Sequence, residues 1–194
     1  MNEKIIVFLD WDGVVNNHDI SCALPNKLSD KFNAQEDNPP LSPIAVGFLN
    51  KLCADHQEIR LVCSSTWRTH SKAEIVSTLK NAHKRLIAAS GLEHIPYSIK
   101  FHAVAKNSWR TPYGRDFNDA IRGKEIDAWL HHYGDEHTRY IIIDDDNDFF
   151  PWQLPYFIQT DPFNGITLDD YFKLDDLITS LEPAKQMRLD FKPV

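Results

Sequence analysis

The chain has little that would hold a small protein together covalently. Its three cysteines, Cys22, Cys53 and Cys63, are odd in number and show no CxxC spacing, which argues against a disulfide framework and a cysteine zinc site. Long apolar runs are also missing. The first, Ile5 to Leu9, is far shorter than the roughly 18 residues of a membrane span, and no signal-peptide pattern precedes it. The expectation is a cytoplasmic protein with no membrane partner. Basic residues are in deficit: 21 Lys and Arg against 28 Asp and Glu leave a formal net charge of -7. That balance argues against a surface built throughout for nucleic acid, though it leaves room for a local basic patch. The nine histidines include His131, His132 and His137, with no HExxH pair, and the chain has neither a GxSxG elbow nor a GxxxxGK[ST] loop. A zincin, a serine hydrolase of the elbow type and a P-loop kinase are therefore set aside.

What is present is an ordinary globular composition, 42% hydrophobic and 25% charged over 194 residues, enough for one substantial core and a single domain spanning 1–194. Internal repeats and low-complexity segments are absent. Lys4 to Leu9 is a nearly continuous apolar run that stops at Asp10, the pattern of a strand buried on both faces of a parallel sheet. Ser42-Pro43 opens a helix as cap and first-turn proline, with Leu41, Ile44, Ala45, Phe48, Leu49 and Leu52 marking its apolar face. Ile59 to Cys63 reads as a second buried strand, and Ser71 with Glu74 forms a capping box for the next helix. Ile99 to Val104 suggests a third strand, Gly123 to His132 a helix, Tyr140 to Ile143 a strand, and Tyr156 to Gln159 a short one. Thr167 starts a last helix with Leu168, Tyr171, Phe172, Leu177 and Ile178 available for packing. This alternation predicts an open α/β sheet, mainly parallel, whose ligands bind beyond the strand carboxyl ends. Two stretches exceed a minimal sheet, at about 17–40 and 105–121, and such excursions tend to be lids or binding loops.

The chemistry gathers at strand ends. Asp10-Trp11-Asp12-Gly13 follows the first strand, with a glycine that lets the chain turn sharply. A bare Asp-x-Asp is weak evidence, since two solvated turn carboxylates would read the same way; the buried strand before it strengthens the case. Asp144-Asp145-Asp146-Asn147-Asp148 follows another buried strand. Two such clusters side by side would repel without a cation, and oxygen-only ligands suit Mg²⁺. The central glycine and final glutamate of an EF-hand loop are missing. Between the two clusters Ser64-Ser65-Thr66-Trp67-Arg68 brings hydroxyls to a third strand end, where they and backbone N–H groups suit phosphate oxygens. Arg122-Gly123-Lys124 supplies cations at a helix start. Trp11, Trp67, Trp109, Phe149 and Trp152 are each candidates to stack on a base, with core packing the commoner fate of such side chains.

In this order the four places resemble the haloacid dehalogenase (HAD) superfamily: a strand then Asp-x-Asp-Gly, a strand then Ser or Thr, a basic residue at a helix start, and a strand then paired aspartates. The match extends to the small HAD domains of Swiss Army knife RNA repair proteins. Ser65-Thr66-Trp67-Arg68, Arg122-Gly123-Lys124-Glu125-Ile126 with Trp129-Leu130, Asp144-Asp145-Asp146, Thr160-Asp161 and Gly165-Ile166-Thr167 carry it, from about Ile5 to Tyr171. The insert after Asn17 departs from that pattern. The resemblance implies a three-layer α/β/α Rossmann-like fold with a small cap or none, and a phosphohydrolase acting through an aspartyl-phosphate. Asp10 would be the nucleophile and Asp12 the acid and base. Mg²⁺ would be held by Asp10, the backbone carbonyl of Asp12, and Asp145 in preference to Asp144. Ser65 would bind a phosphoryl oxygen, with Ser64 as the alternative. Arg122 fits the smaller family's pattern for the cation, and Lys124 the residue type usual across the superfamily.

Two other readings use the same residues: a phosphate-binding regulatory domain without catalysis, and a phosphotransferase to an alcohol. As to substrate, the stretch from Lys100 to Lys124 sets Lys100, Lys106, Arg110, Arg115, Arg122 and Lys124 against Asp116 and Asp119. Its local excess of four positive charges is interleaved with Trp109 and Tyr113. The expected substrate is a nucleotide or a nucleic-acid phosphate end, and that mixture suits the latter, with Arg68, Trp67, Arg110 and Arg115 as candidate contacts; a phosphorylated small metabolite is the alternative, and a solvated basic loop would look the same.

Overall fold

Five residues, Ile5–Leu9, form a strand, β1, that is buried along its whole length, and the fold is built outward from it. The computed structural model describes residues 4–16, 41–91, 94–112, 121–135 and 137–181. The first insert, residues 113–120 of the second excursion, and with them Cys22, Tyr113, Arg115, Asp116 and Asp119, lie outside the described residues. Strand β2 (Ile59–Cys63) pairs in parallel with one edge of β1, and β3 (Arg139–Asp144) with the other. The short β4 (Phe157–Gln159) continues beyond β3, so the order is β2-β1-β3-β4 and every pairing is parallel.

Because successive side chains of a strand point to opposite faces, β1 feeds two cores. Ile5, Val7 and Leu9 join Leu61, Cys63, Ile141 and Ile143 on one face, and Ile6 and Phe8 join Val62, Tyr140 and Ile142 on the other. The first face is covered by helices α1 (Pro43–Asp55), α2 (Lys72–Ser90) and α4 (Leu168–Ser180), through Val46, Leu49, Ile75, Leu79, Leu174 and Ile178. The second is covered by α3 (Arg122–Tyr133), through Ile126, Trp129 and Leu130. The result is the three-layer α/β/α arrangement. Among the described residues no helix is long and apolar enough to cross a membrane.

Three helices start as their sequences require. The Ser42 hydroxyl accepts from the Ala45 amide at 3.2 Å, and the capping boxes Ser71/Glu74 and Thr167/Asp170 are complete. Helix α3 differs, since Ile121 precedes it and has no side chain able to cap. Its first amide, that of Arg122, is bonded at 2.8 Å by the carboxylate of Asp148, which lies beyond β3. Gly123 permits this closeness, because a Cβ there would collide with the Gln153 amide oxygen.

Some expectations need correction. Ile99 to Val104 is not a strand. Its backbone hydrogen-bonds Leu61 through Lys100 and His102, leaves the sheet, and returns where Trp109 and Thr111 bond Cys63. An edge segment pairs on one side only, so an excursion from 103 to 108 breaks it easily. Ile44, Leu168 and Phe172 are exposed. The buried stripe of α4 runs through Tyr171, Leu174 and Ile178, while Leu168 and Phe172, four residues apart, share the adjacent face.

Arg68, a candidate substrate contact, is 4% exposed. Its guanidinium forms two bonds to Glu125 on α3, at 2.7 and 2.6 Å, one to the Ser64 carbonyl at 3.0 Å and one to Thr111 at 2.7 Å. It ties the end of β2 to α3 and to the edge segment. Removing one partner of a buried pair strands the other's charge, so Glu125→Ala is expected to lower unfolding free energy by about 3–5 kcal/mol. A urea denaturation midpoint that hardly moves would refute this.

Candidate active site

Matching registers put three chemical groups in one row. Leu9 lies opposite Cys63 and Ile143, so the next residues, Asp10, Ser64 and Asp144, stand side by side at the sheet's carboxyl end. Ladder bonds hold the row, from the Asp10 amide to Ile143 and from the Ser64 amide to Leu9, both 2.9 Å. By strand alternation, Asp10, Ser64 and Asp144 fall on the face covered by α3, and the first residue of that helix meets them. Arg122 Nη1 donates to Asp10 Oδ1 at 2.6 Å and to the Ser64 carbonyl oxygen, and stands 3.8 Å from Asp144 Oδ2. Lys124 is exposed on the same turn, and no contact ties it to the row.

After Asp10 the chain turns sharply. Gly13 has φ +75°, and a Cβ there would collide with the carboxyl group of Asp145. The turn is closed by bonds from the Gly13 amide to Asn16 and from the Asn16 amide to Trp11. It is pinned from β4's end, where Thr160 Oγ1 donates to the Gly13 carbonyl at 3.0 Å and the Ile166 amide to Val14 at 2.9 Å. Asp12 is exposed. Its carboxylate accepts from Asn16 Nδ2 at 2.7 Å and from the indole N–H of Trp67, 3.1 Å from each oxygen.

Carboxylate oxygens of Asp10, Asp144 and Asp145 lie within 4.8 Å of one another. Burial raises the Asp10 carboxyl above its ordinary value, partly offset by the Arg122 charge. Asp144 is pushed up to about 8, first by burial and then by Asp10 beside it. Asp145 is raised too, again chiefly by burial. Asp144 Oδ1 accepts from the Asp146 amide at 3.1 Å, whereas the buried Oδ2 has no hydrogen-bond partner among the described residues. Three converging carboxylates with a buried, unbonded oxygen fit a hard divalent cation such as Mg²⁺, whose ligands are oxygens. The Ser64 hydroxyl is likewise buried without a partner, while that of Ser65 caps the 3₁₀ turn Thr66–Thr69 by accepting from the Trp67 amide at 3.4 Å. Cys63 adjoins the row, but burial pushes its thiol up to about 12, so it stays neutral.

The remaining sequence candidates fall elsewhere. Trp67 is buried and stacks on Trp11, with ring centres 5.2 Å apart and planes at 15°, so it offers no face to a base. Trp11, Trp109 and Phe149 are core residues, and Trp152 stacks on Phe150. Arg110 is half-buried over Trp109, with one nitrogen on the Arg68 carbonyl at 2.7 Å. Sequence reasoning passed over four contributors: Asn16, Thr160, Glu125 and Asp148. Asn16 carries a readable signal, an amide four residues after Asp12 across a glycine turn. The other three stand in motifs the sequence shows, but they act on partners far away in sequence, which no local pattern reveals.

A parallel sheet whose carboxyl edge aligns an aspartate, a serine and a second aspartate under one guanidinium has the arrangement of a HAD-type domain. The family model for the HAD domain in Swiss Army Knife RNA repair proteins matches residues 6–171, and the chain belongs to that family. No curated protein and no solved structure matches the chain.

The pH behaviour follows from Asp144. Unfolded, its carboxyl titrates near 3.8, whereas in the folded chain without metal it does so near 8. Between these values the folded state binds the extra proton, so rising pH costs the metal-free protein stability. A cation that holds Asp144 ionised removes that loss. The rise in melting temperature on replacing EDTA with Mg²⁺ should therefore be larger at pH 8 than at pH 6, and equal rises at both would contradict the assignment.

Proposed function

We propose that the chain is a Mg²⁺-dependent phosphohydrolase that forms an aspartyl-phosphate on Asp10. The observation that carries this reading is the alignment of Asp10, Ser64 and Asp144 with Arg122 across them. Asp10, Asp144 and Asp145 are the residues that would hold the ion. When bound it would offset carboxylate repulsion and neutralise charge developing on the phosphoryl group.

Arg122 already spans Asp10 and the Ser64 carbonyl, so it can draw a phosphoryl oxygen toward the nucleophile. The unpartnered Ser64 hydroxyl is available as a second donor, which favours Ser64 over Ser65, and the site favours Arg122 over Lys124. Attack forms a bond from a carboxylate oxygen of Asp10 to phosphorus and breaks the bond to the leaving oxygen. Protonated Asp12 gives that oxygen its proton. Asp12, now a carboxylate, then takes a proton from water as the water oxygen attacks phosphorus. The Asp10–phosphorus bond breaks, inorganic phosphate leaves, and both aspartates return to their starting states.

Asp10→Asn is expected to abolish Mg²⁺-dependent phosphate release while leaving the melting temperature near wild type; turnover within tenfold of wild type would end the mechanism. Asp12→Asn is expected to lose roughly 10²–10⁴-fold in turnover with much substrate binding retained. If both variants bind phosphate normally and wild type releases none from any ester, the regulatory reading replaces this one.

For the substrate class we infer a nucleic-acid end. The family's description names RNA repair proteins, and Lys100, Lys106 and Lys124 are exposed within the basic stretch. An end-phosphorylated oligonucleotide should be turned over with higher kcat/KM than its mononucleotide, and the advantage should shrink as salt rises, because only the longer substrate engages several phosphates. Lys106→Ala combined with Lys124→Ala should reduce that advantage while sparing p-nitrophenyl phosphate. Mononucleotides or sugar phosphates preferred at low salt would point to a small-metabolite phosphatase instead.

A further inference from the structure

The indole N–H of Trp67 lies 3.1 Å from both carboxylate oxygens of Asp12, a three-centre bond that faces the carboxyl group as a whole. Asp12 is exposed, so its neighbours alone decide which way it points. Asn16 anchors one oxygen at 2.7 Å, and Trp67 sets the rotation of the plane. Trp67 is itself immobilised. Its ring is 6% exposed and stacks on Trp11, which is fully buried and stands between Asp10 and Asp12. Its amide donates to the Ser65 hydroxyl at the head of the 3₁₀ turn. The middle residue of the Asp-x-Asp motif thus buttresses the ring that orients the motif's second carboxyl.

Building on the phosphohydrolase reading, we propose that Trp67 is the positioning residue for proton transfer by Asp12. An indole N–H donates but neither accepts nor ionises near neutral pH, so it holds the carboxyl group without competing for the proton in transit. Spanning both oxygens, it keeps one bond whichever oxygen is protonated. A misdirected acid loses catalysis without loss of binding. The defect should appear only where the leaving oxygen needs a proton.

Trp67→Phe keeps an aromatic ring against Trp11 while removing the N–H together with the second ring, so a comparison of two esters separates positioning from packing. The experiment is single-turnover release of the leaving alcohol, with Mg²⁺, from benzyl phosphate and from p-nitrophenyl phosphate. The variant is expected to slow benzyl alcohol release by about tenfold, the scale of one lost hydrogen bond to a charged group. Release of p-nitrophenol, which leaves unaided, should stay within about twofold, and KM should be unchanged for both. In ¹H–¹⁵N spectra, the indole resonance that disappears in Trp67→Phe should shift upfield in Asp12→Ala.

Equal slowing of both esters, or an indole resonance indifferent to Asp12→Ala, would overturn the positioning role. A wild-type chain inert on both esters would overturn the phosphohydrolase reading and the proposal with it. An active wild type with equal defects removes the proposal alone.

Discussion

Like charges brought together in a place with little water repel strongly, and Asp10 and Asp144 are carried into such a place by adjacent strands. The rest of the sheet edge is organised around that repulsion. Arg122 stands between the two carboxyls, and Asp145 closes on the same point from the turn side, close enough to Gly13 to exclude a Cβ. Burial alone would leave Asp10 and Asp144 reluctant to ionise. On the proposed reading, presenting a nucleophilic carboxylate here would call for positive charge from a bound cation as well as from Arg122. On the same reading, positive charge gathered by the carboxylates would be positioned to meet a phosphoryl group.

The two faces of the sheet divide the work. On one, three helices cover a core that includes Trp11 and Trp67. On the other, α3 covers a smaller core and delivers the guanidinium. Arg68 and Glu125 join the parts, linking the end of β2 to α3 within bonding distance of the Ser64 carbonyl. Here a buried ion pair has a task beyond adhesion: it fixes where a helix start sits relative to a strand end, which apolar packing would define less sharply.

Much of this architecture is legible in the residues. Strands buried on both faces appear as apolar runs, broken in β2 only by Arg60, and helices announce themselves through Ser42-Pro43, Ser71 with Glu74, and Thr167 with Asp170. The carboxylates at strand ends are visible because the runs stop abruptly at Asp10 and Asp144. Side-chain direction is less legible. Ser64 and Ser65 are neighbours in sequence and differ only by which falls in the row, a matter of one residue of register. Arg122 and Lys124 are separated by two residues of one helical turn, and only the entry of the helix decides which reaches Asp10. Arg68 and Trp67 stand as candidate contacts in the sequence because nothing next to them in the chain shows what they pair with. Their partners Glu125 and Asp12 lie 57 and 55 residues away, beyond any local pattern.

Helix α3 hangs by its first amide from Asp148, the last residue of the acidic loop. Its starting point is consequently not its own to choose. Whatever tightens the loop from Asp144 to Asp148 also sets the pitch of the helix and the reach of the side chain at its tip. If the proposed cation and phosphoryl sites are both real, they would be two ends of one lever, and linkage would require that each end feel the other equally.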